Sequence, residues 1–191
     1  MKMPTFVASG SGLRLPESEV IAQYLCDAYA SSGPSLTPDT VDARACCALA
    51  TRVHDVYIAA AQGAMYRGPM DRGARASGIA DIAKQIGVLE EIASRTPGPF
   101  IAGTEKSTAD AALFPTFVFI EFLLPKYFGW RDAFANAPHL KRWYETMLTD
   151  ADAKTTYDEV RGGLEAWEAA GRFQKVGVVD DVADSSFTWA Y

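Results

Sequence analysis

Apolar and polar residues alternate in two different rhythms along this chain. Near the start the apolar runs are short: Thr5 to Ala8 and Leu13 to Leu15 are strand-like, and Ser9-Gly10-Ser11-Gly12 between them supplies the positive φ angles that a hairpin turn demands. The period then lengthens. Val20, Ile21, Tyr24, Leu25 and Ala28 share one helical face, in a segment that opens at Pro16-Glu17-Ser18 and stops before Ser31-Ser32-Gly33-Pro34. This opening part reads β-β-α, and a two-stranded hairpin is marginal in water, so either it docks on the helical domain or part of the unit is missing.

Everything that follows is helical in pattern. Thr37-Pro38-Asp39 offers an N-cap, a proline at the first helical position and an acid in the first turn, which predicts a long helix to about Tyr66. Ile79, Ile82, Ile86, Leu89 and Ala93 recur in steps of three and four, a narrow seam suited to helix–helix packing. Thr96-Pro97-Gly98-Pro99 ends that helix. Further helices are predicted from Thr108 to Leu124, Pro138 to Leu148 and Asp152 to Ala170, the last stopped by Gly171. No internal repeat or low-complexity tract interrupts them. The boundary falls near 31–36, giving a β-β-α fragment at 1–32, a helical domain at 35–171 and a tail at 172–191.

Composition narrows the classes of function. The 191 residues are 49% apolar and 22% charged, and the formal charge of −6 has the wrong sign for a phosphate-backbone binder, so nucleic acid is excluded as a partner. Cys26, Cys46 and Cys47 form no C-x-x-C pair and no disulfide framework, which fits a reducing, cytoplasmic setting. The most apolar stretch, Ala111 to Pro125, is shorter than the roughly 20 residues of a membrane helix and contains Pro115, Thr116 and Glu121; it reads as a buried core helix, with no membrane partner. The first residues have neither the apolar segment of a signal peptide nor the Arg-rich character of a transit peptide.

Two motifs carry a family resemblance. The string Leu15-Pro16-Glu17-Ser18-Glu19-Val20-Ile21-Ala22-Gln23-Tyr24-Leu25 resembles the end of the thioredoxin-like domain of cytosolic glutathione transferases, where an acidic residue and a serine open the last helix. Met3-Pro4 then stands where that family has its cis-proline, one residue further from Glu17 than expected, a difference the Ser9 to Gly12 turn can absorb. Independently, Phe100-Ile101-Ala102-Gly103-Thr104-Glu105-Lys106-Ser107-Thr108-Ala109-Asp110 is similar to the family's signature in its helical domain. There Ser107 is the expected N-cap and Asp110 its reciprocal partner, the Ser107 Oγ accepting from the Asp110 N–H and the Asp110 carboxylate from the Ser107 N–H. The same segment fails as a phosphate loop, because Glu105 replaces the glycine beside Lys106 and the earlier glycine is absent.

The resemblance, which runs from Met3 to about Ala170, implies a mostly α fold: an all-helical glutathione transferase C-terminal domain behind a partial thioredoxin-like fragment. It implies that Met3 and Pro4 present backbone to the cysteinyl unit of glutathione, and that Glu17 and Ser18 hold its γ-glutamyl end at a helix N-terminus, whose free N–H groups and dipole favour a carboxylate. On its own, Glu17-Ser18 also reads as an ordinary N-cap with a dipole-complementing acid. A hydrophobic electrophile is expected beside Arg52, Val56, Tyr57, Met65 and Tyr66, residues that equally suit a core or an interface.

The family's thiolate activator, a Tyr, Ser or Cys at the end of its first strand, has no counterpart between Met1 and Tyr191; it belongs to a β-α-β unit expected ahead of Met1. No catalytic residue, metal site or cofactor is expected within these residues, glutathione being a co-substrate. His54 and His139 lack ligand spacing, and His54 and Asp55, adjacent in sequence, are not expected to share a face. Two readings follow: a homodimeric transferase that conjugates or exchanges the glutathione thiol once its opening segment is restored, or a non-catalytic interaction or scaffold module. The tail's Asp180, Asp181 and Asp184, followed by Phe187, Trp189 and Tyr191, suits folding over a cleft, pairing with a strand or disorder equally.

Overall fold

A computed structural model describes residues 4–187 and 189. Strand β1 (Thr5–Val7) pairs antiparallel with β2 (Arg14–Pro16) in the register Thr5↔Pro16, Phe6↔Leu15, Val7↔Arg14. Gly12, at φ 69, closes the turn between them, and the Ala8 N–H donates to the Leu13 carbonyl at 2.9 Å. Helix α1 (Ser18–Ala28) lies against the hairpin through a Phe6–Tyr24 ring contact at 5.6 Å. This unit has almost no core of its own. No α1 residue is buried, and Val7, Leu13, Val20, Leu25 and Tyr29 are all exposed.

The helical domain starts later than the sequence pattern predicts. Helix α2 (Val41–Val53) takes Thr40 as its N-cap, the Thr40 Oγ1 accepting from the Ala43 N–H at 3.1 Å. Thr37-Pro38-Asp39 stays in the linker because the Arg44 guanidinium donates to the Pro38 and Asp39 carbonyls at 3.0 and 2.7 Å, bonds available only to an unwound segment. The rod then changes winding: a π turn at His54–Ile58, the short α3 (Ala59–Ala61) and a 3₁₀ turn at Gln62–Met65 continue it to the vicinity of Tyr66.

Helix α4 (Arg72–Ser94) is capped by Asp71 and buries the whole predicted seam, Ile79, Ile82, Ile86, Leu89 and Ala93. Helix α5 (Thr108–Tyr127) runs through the middle of the domain with Leu113, Phe117, Val118, Ile120 and Leu123 fully enclosed. It is three residues longer than predicted, so by length and composition it does reach membrane-spanning size; 67% of its most apolar window is nevertheless buried within the protein. Around it stand α6 (Pro138–Met147) and α7 (Ala151–Ala169), and Gly171 at φ 66 ends α7.

Two short helices, α8 (Arg172–Lys175) and α9 (Val178–Ala183), bring the tail back across the start of α4. Arg75 directs this. Its side chain is fully enclosed, and it donates from Nε to Asp181 at 2.6 Å and from its terminal nitrogens to the Ala64, Arg67 and Val176 carbonyls at 2.7, 3.0 and 3.2 Å. Gly68 admits this closure, since a Cβ there would meet the Val176 oxygen at 1.9 Å. Phe187 lies over the Arg72 guanidinium, and Trp189 packs on Phe128 while its carbonyl accepts from Trp130 Nε1 at 3.0 Å. Those two aromatics therefore pack on the helical domain and pair with no strand; Tyr191 lies outside the described residues.

Candidate functional site

The start of α1 combines two features that follow from its sequence. Glu17 occupies φ 70, ψ 120, a backbone region that costs a residue with a Cβ of the order of 1–3 kcal/mol, and it is the one non-glycine residue at positive φ among those described. No side chain caps the helix, so the first N–H groups of α1 lack an internal acceptor. Glu17 and Ser18 are both exposed at this terminus. Ser18 is the first helical residue and Glu17 takes the N-cap position, so the pair does not act as a conventional side-chain cap. Pro4 is exposed beside β1, while Met3 and the Met3–Pro4 peptide lie outside the described residues.

One turn further along α1, a cleft of about 250 Å³ separates the β-β-α unit from the helical domain. Glu19 and Gln23 line it from α1, and Cys47, Thr51, Arg52 and Asp55 from α2 and the π turn. At its floor Cys47 Sγ lies 3.3 Å from Thr108 Oγ1 at the start of α5. Burial and the Asp55 charge push the Glu19 carboxyl above the usual glutamate range, against a smaller opposing pull from Arg52. Burial likewise raises the Cys26 thiol, which suits a packed cysteine rather than a nucleophile.

The five residues expected around an electrophile do not converge. Arg52 lines the cleft, Val56 and Tyr57 stand 44% and 53% exposed on a separate groove between the π turn and its continuation to Met65 on one side and α4 on the other, and Met65 is wholly enclosed in the core. Tyr66 packs on Phe119 and Trp167, with ring centroids 5.3 and 5.8 Å away. The π turn explains the scatter: its wider winding rotates every later position relative to α2, so a face extrapolated at 3.6 residues per turn no longer describes Met65 and Tyr66.

The same turn overturns the expectation that His54 and Asp55 stay apart. His54 Nδ1 lies 2.8 Å from Asp55 Oδ1, and its Nε2 lies 2.9 Å from Thr116 Oγ1. This carboxylate–imidazole–hydroxyl chain ends on a buried threonine without access to a substrate, so it fastens the end of α2 to α5.

Ser107 and Asp110 form a reciprocal capping box at the start of α5. The Ser107 N–H and hydroxyl both donate to Asp110 Oδ2 at 2.7 Å, so the hydroxyl acts here as a donor as well. Asp110 Oδ1 accepts from the Ile101 N–H at 2.9 Å and from Trp143 Nε1 at 2.8 Å, which ties the preceding loop and α6 to the same carboxylate. Burial raises this carboxyl, and the four donors act against that rise. Among the described residues no group of three or more His, Cys, Asp or Glu side chains is placed to hold a metal.

Residues 72–146 match the family described as "Glutathione S-transferase, C-terminal domain". Glutathione transferase F1 from poplar has the same fold, with a TM-score of 0.66 at 21% identity over 85% of this chain and 75% of the poplar chain. A diazinon-metabolizing glutathione S-transferase of the silkworm, Bombyx mori, aligns with a TM-score of 0.66 at 20% identity over 85% and 73% of the two chains. Leishmania TDR1, described as a unique trimeric glutathione transferase, aligns with a TM-score of 0.70 at 23% identity over 86% of this chain and 37% of its own. No curated protein matches by sequence. The domain match thus covers 72–146, and the likeness to these transferases is one of fold.

Proposed function

We propose that this chain, which carries the glutathione S-transferase C-terminal domain, is a glutathione transferase-like protein that holds the γ-glutamyl end of glutathione at the start of α1. The observation that carries the reading is the strained backbone of Glu17 at an uncapped helix N-terminus. Strain of this size persists where the surrounding structure gains from it, and free N–H groups at a helix start suit a ligand carboxylate. Ser18 adds a hydroxyl at the same point, and the Glu17 carboxylate can pair with the ligand's amino group. In this reading Met3 and Pro4 meet the cysteinyl unit.

Conjugation or exchange of the thiol on a hydrophobic electrophile then requires a β-α-β segment bearing the Tyr, Ser or Cys that activates the sulfur. With that segment the protein is a cytoplasmic detoxifying transferase; without it the chain serves as a non-catalytic, glutathione-binding or scaffold module. The groove between the π turn and α4, with Val56, Tyr57 and Gly78 on its walls, supports a homodimer. Small and exposed apolar side chains there allow two copies to approach closely.

Retention on immobilised glutathione tests the site. Ser18→Ala is expected to elute several-fold earlier than the parent at unchanged thermal midpoint. Equal retention of the two proteins removes Ser18 from the site. Glutathione-dependent turnover of a generic electrophile by the 191-residue chain overturns the requirement for a separate activating strand.

A further inference from the structure

The cleft between α1 and α2 contains a charge arrangement that glutathione handling does not use. Glu19 enters it from α1 and Asp55 from the π turn, two carboxylates contributed by the two sides of the domain boundary. No ion pair to Glu19 occurs among the described residues, and the partner of Asp55 is His54, on the same side of the cleft. Arg44, also on the wall, is engaged by the Pro38 and Asp39 carbonyls. Arg52 is exposed and makes no ion pair among the described residues; its charge acts on Glu19 against that of Asp55, and less strongly. The other polar side chains lining the cleft are Gln23 from α1, Thr37 from the linker, Cys47 and Thr51 from α2, and Thr108 from α5.

The β-β-α unit is free to respond to this repulsion. Helix α1 buries no residue, so little apolar contact holds it down. The connection between Tyr29 and Ser35 is exposed throughout, and the Thr108 N–H clamps the far end of it by donating to the Leu36 carbonyl at 3.1 Å. That leaves a hinge between a loosely seated unit and a fixed domain.

We propose that this cleft is a proton-controlled latch: with Glu19 and Asp55 both ionised their repulsion holds α1 off α2, and protonation of Glu19 lets the β1-β2-α1 unit close over Cys47. The direction agrees with the electrostatics. A carboxyl pushed upward by burial and a like charge takes a proton more readily in the closed, docked state than when the unit swings free. Closure therefore strengthens as pH falls from neutral toward the ordinary glutamate range and is lost as pH rises. The latch is independent of whether glutathione binds.

Cys47, at the floor of the cleft, provides the reporter. In the full chain carrying Cys26→Ser and Cys46→Ser, the rate of Cys47 alkylation by N-ethylmaleimide is followed from about pH 8 to about pH 5, together with the thermal midpoint. Glu19→Gln, which removes the charge at constant shape, is expected to slow labelling several-fold at pH 8 and to raise the midpoint by about 2–4 °C. Both differences from the parent are expected to narrow as pH falls, as the parent itself takes up the proton. Asp55→Asn also weakens the contact to His54, so only its labelling is compared: it is expected to slow at pH 8 as for Glu19→Gln, which keeps the test decisive if one variant folds poorly. Labelling rates of Glu19→Gln that equal or exceed the parent's at every pH overturn the latch, as does a closed Glu19→Gln beside an unaffected, folded Asp55→Asn.

Discussion

Replacing Arg75 by methionine tests how the C-terminal segment is held. Methionine preserves the length of the side chain and its apolar stem, and removes the guanidinium alone. The change strips the partner from three backbone carbonyls, those of Ala64, Arg67 and Val176, and from Asp181, whose side chain is 14% exposed. Breaking a buried ion pair by deleting one member costs about 3–5 kcal/mol, because the remaining charge and acceptors stay desolvated. Asp181 keeps a weaker contact to Arg72 at 3.4 Å, which places the expected loss near the lower end, about 3 kcal/mol. For a chain of this size each kcal/mol moves the thermal midpoint by about 2–4 °C, so a drop of about 6–12 °C is expected. Urea unfolding followed by linear extrapolation measures the loss directly, and an unchanged m-value shows that the unfolded reference is the same. Arg75→Lys should recover only part of the loss, since one ammonium cannot span four acceptors on three segments. A loss below about 1 kcal/mol for Arg75→Met would refute the reasoning, because it would mean that water reaches these carbonyls in the native protein.

Other outcomes are expected at the capping positions. Asp110→Ala leaves the Ile101 and Ser107 N–H groups and Trp143 Nε1 buried without an acceptor, and should cost about 3 kcal/mol or more with a shift in tryptophan emission, while retention on glutathione is unchanged. Because burial raises the Asp110 carboxyl, its linked contribution to folding is present in acid and lost as pH rises through the raised value, so acid unfolding should not start there. Asp150 has the opposite sign: the hydrogen bond from Lys106, then that from the Ala153 N–H, hold its carboxyl below the usual range. Its contribution is therefore present above the ordinary carboxylate range and is lost as pH falls through the depressed value. Asp150→Asn should be less stable than the parent at neutral pH, and equal to it in strong acid when both are followed by circular dichroism.

The parts of the fold that were legible are those fixed by neighbours in sequence. The glycine-serine turn, the Ile79 to Ala93 seam and the Ser107–Asp110 box each depend on residues within a few positions of one another, so their chemistry can be read along the chain. The candidate site was legible in the same way and to the same extent: Glu17-Ser18 is a local helix start. A signal for the cleft existed too, since Glu19 and Gln23 share a face of α1 and Arg52 and Asp55 lie three positions apart where α2 runs into the π turn. Nothing in either helix says that the two faces meet.

What the sequence by itself determined about this protein is therefore its list of elements, its helical class and the chemistry at individual helix starts, because hydrogen-bonding periodicity and capping are short-range. What only the tertiary structure decided is which side chains lose their water together. The π turn at His54–Ile58 moved Met65 into the core and Tyr66 against it, and joined His54 to Asp55 and Thr116. Chain folding placed Arg75 under a segment more than a hundred residues away and set Glu19 opposite Asp55. Desolvation and Coulomb energy depend on distance in space rather than along the chain, so these partnerships exist only once the domains are packed.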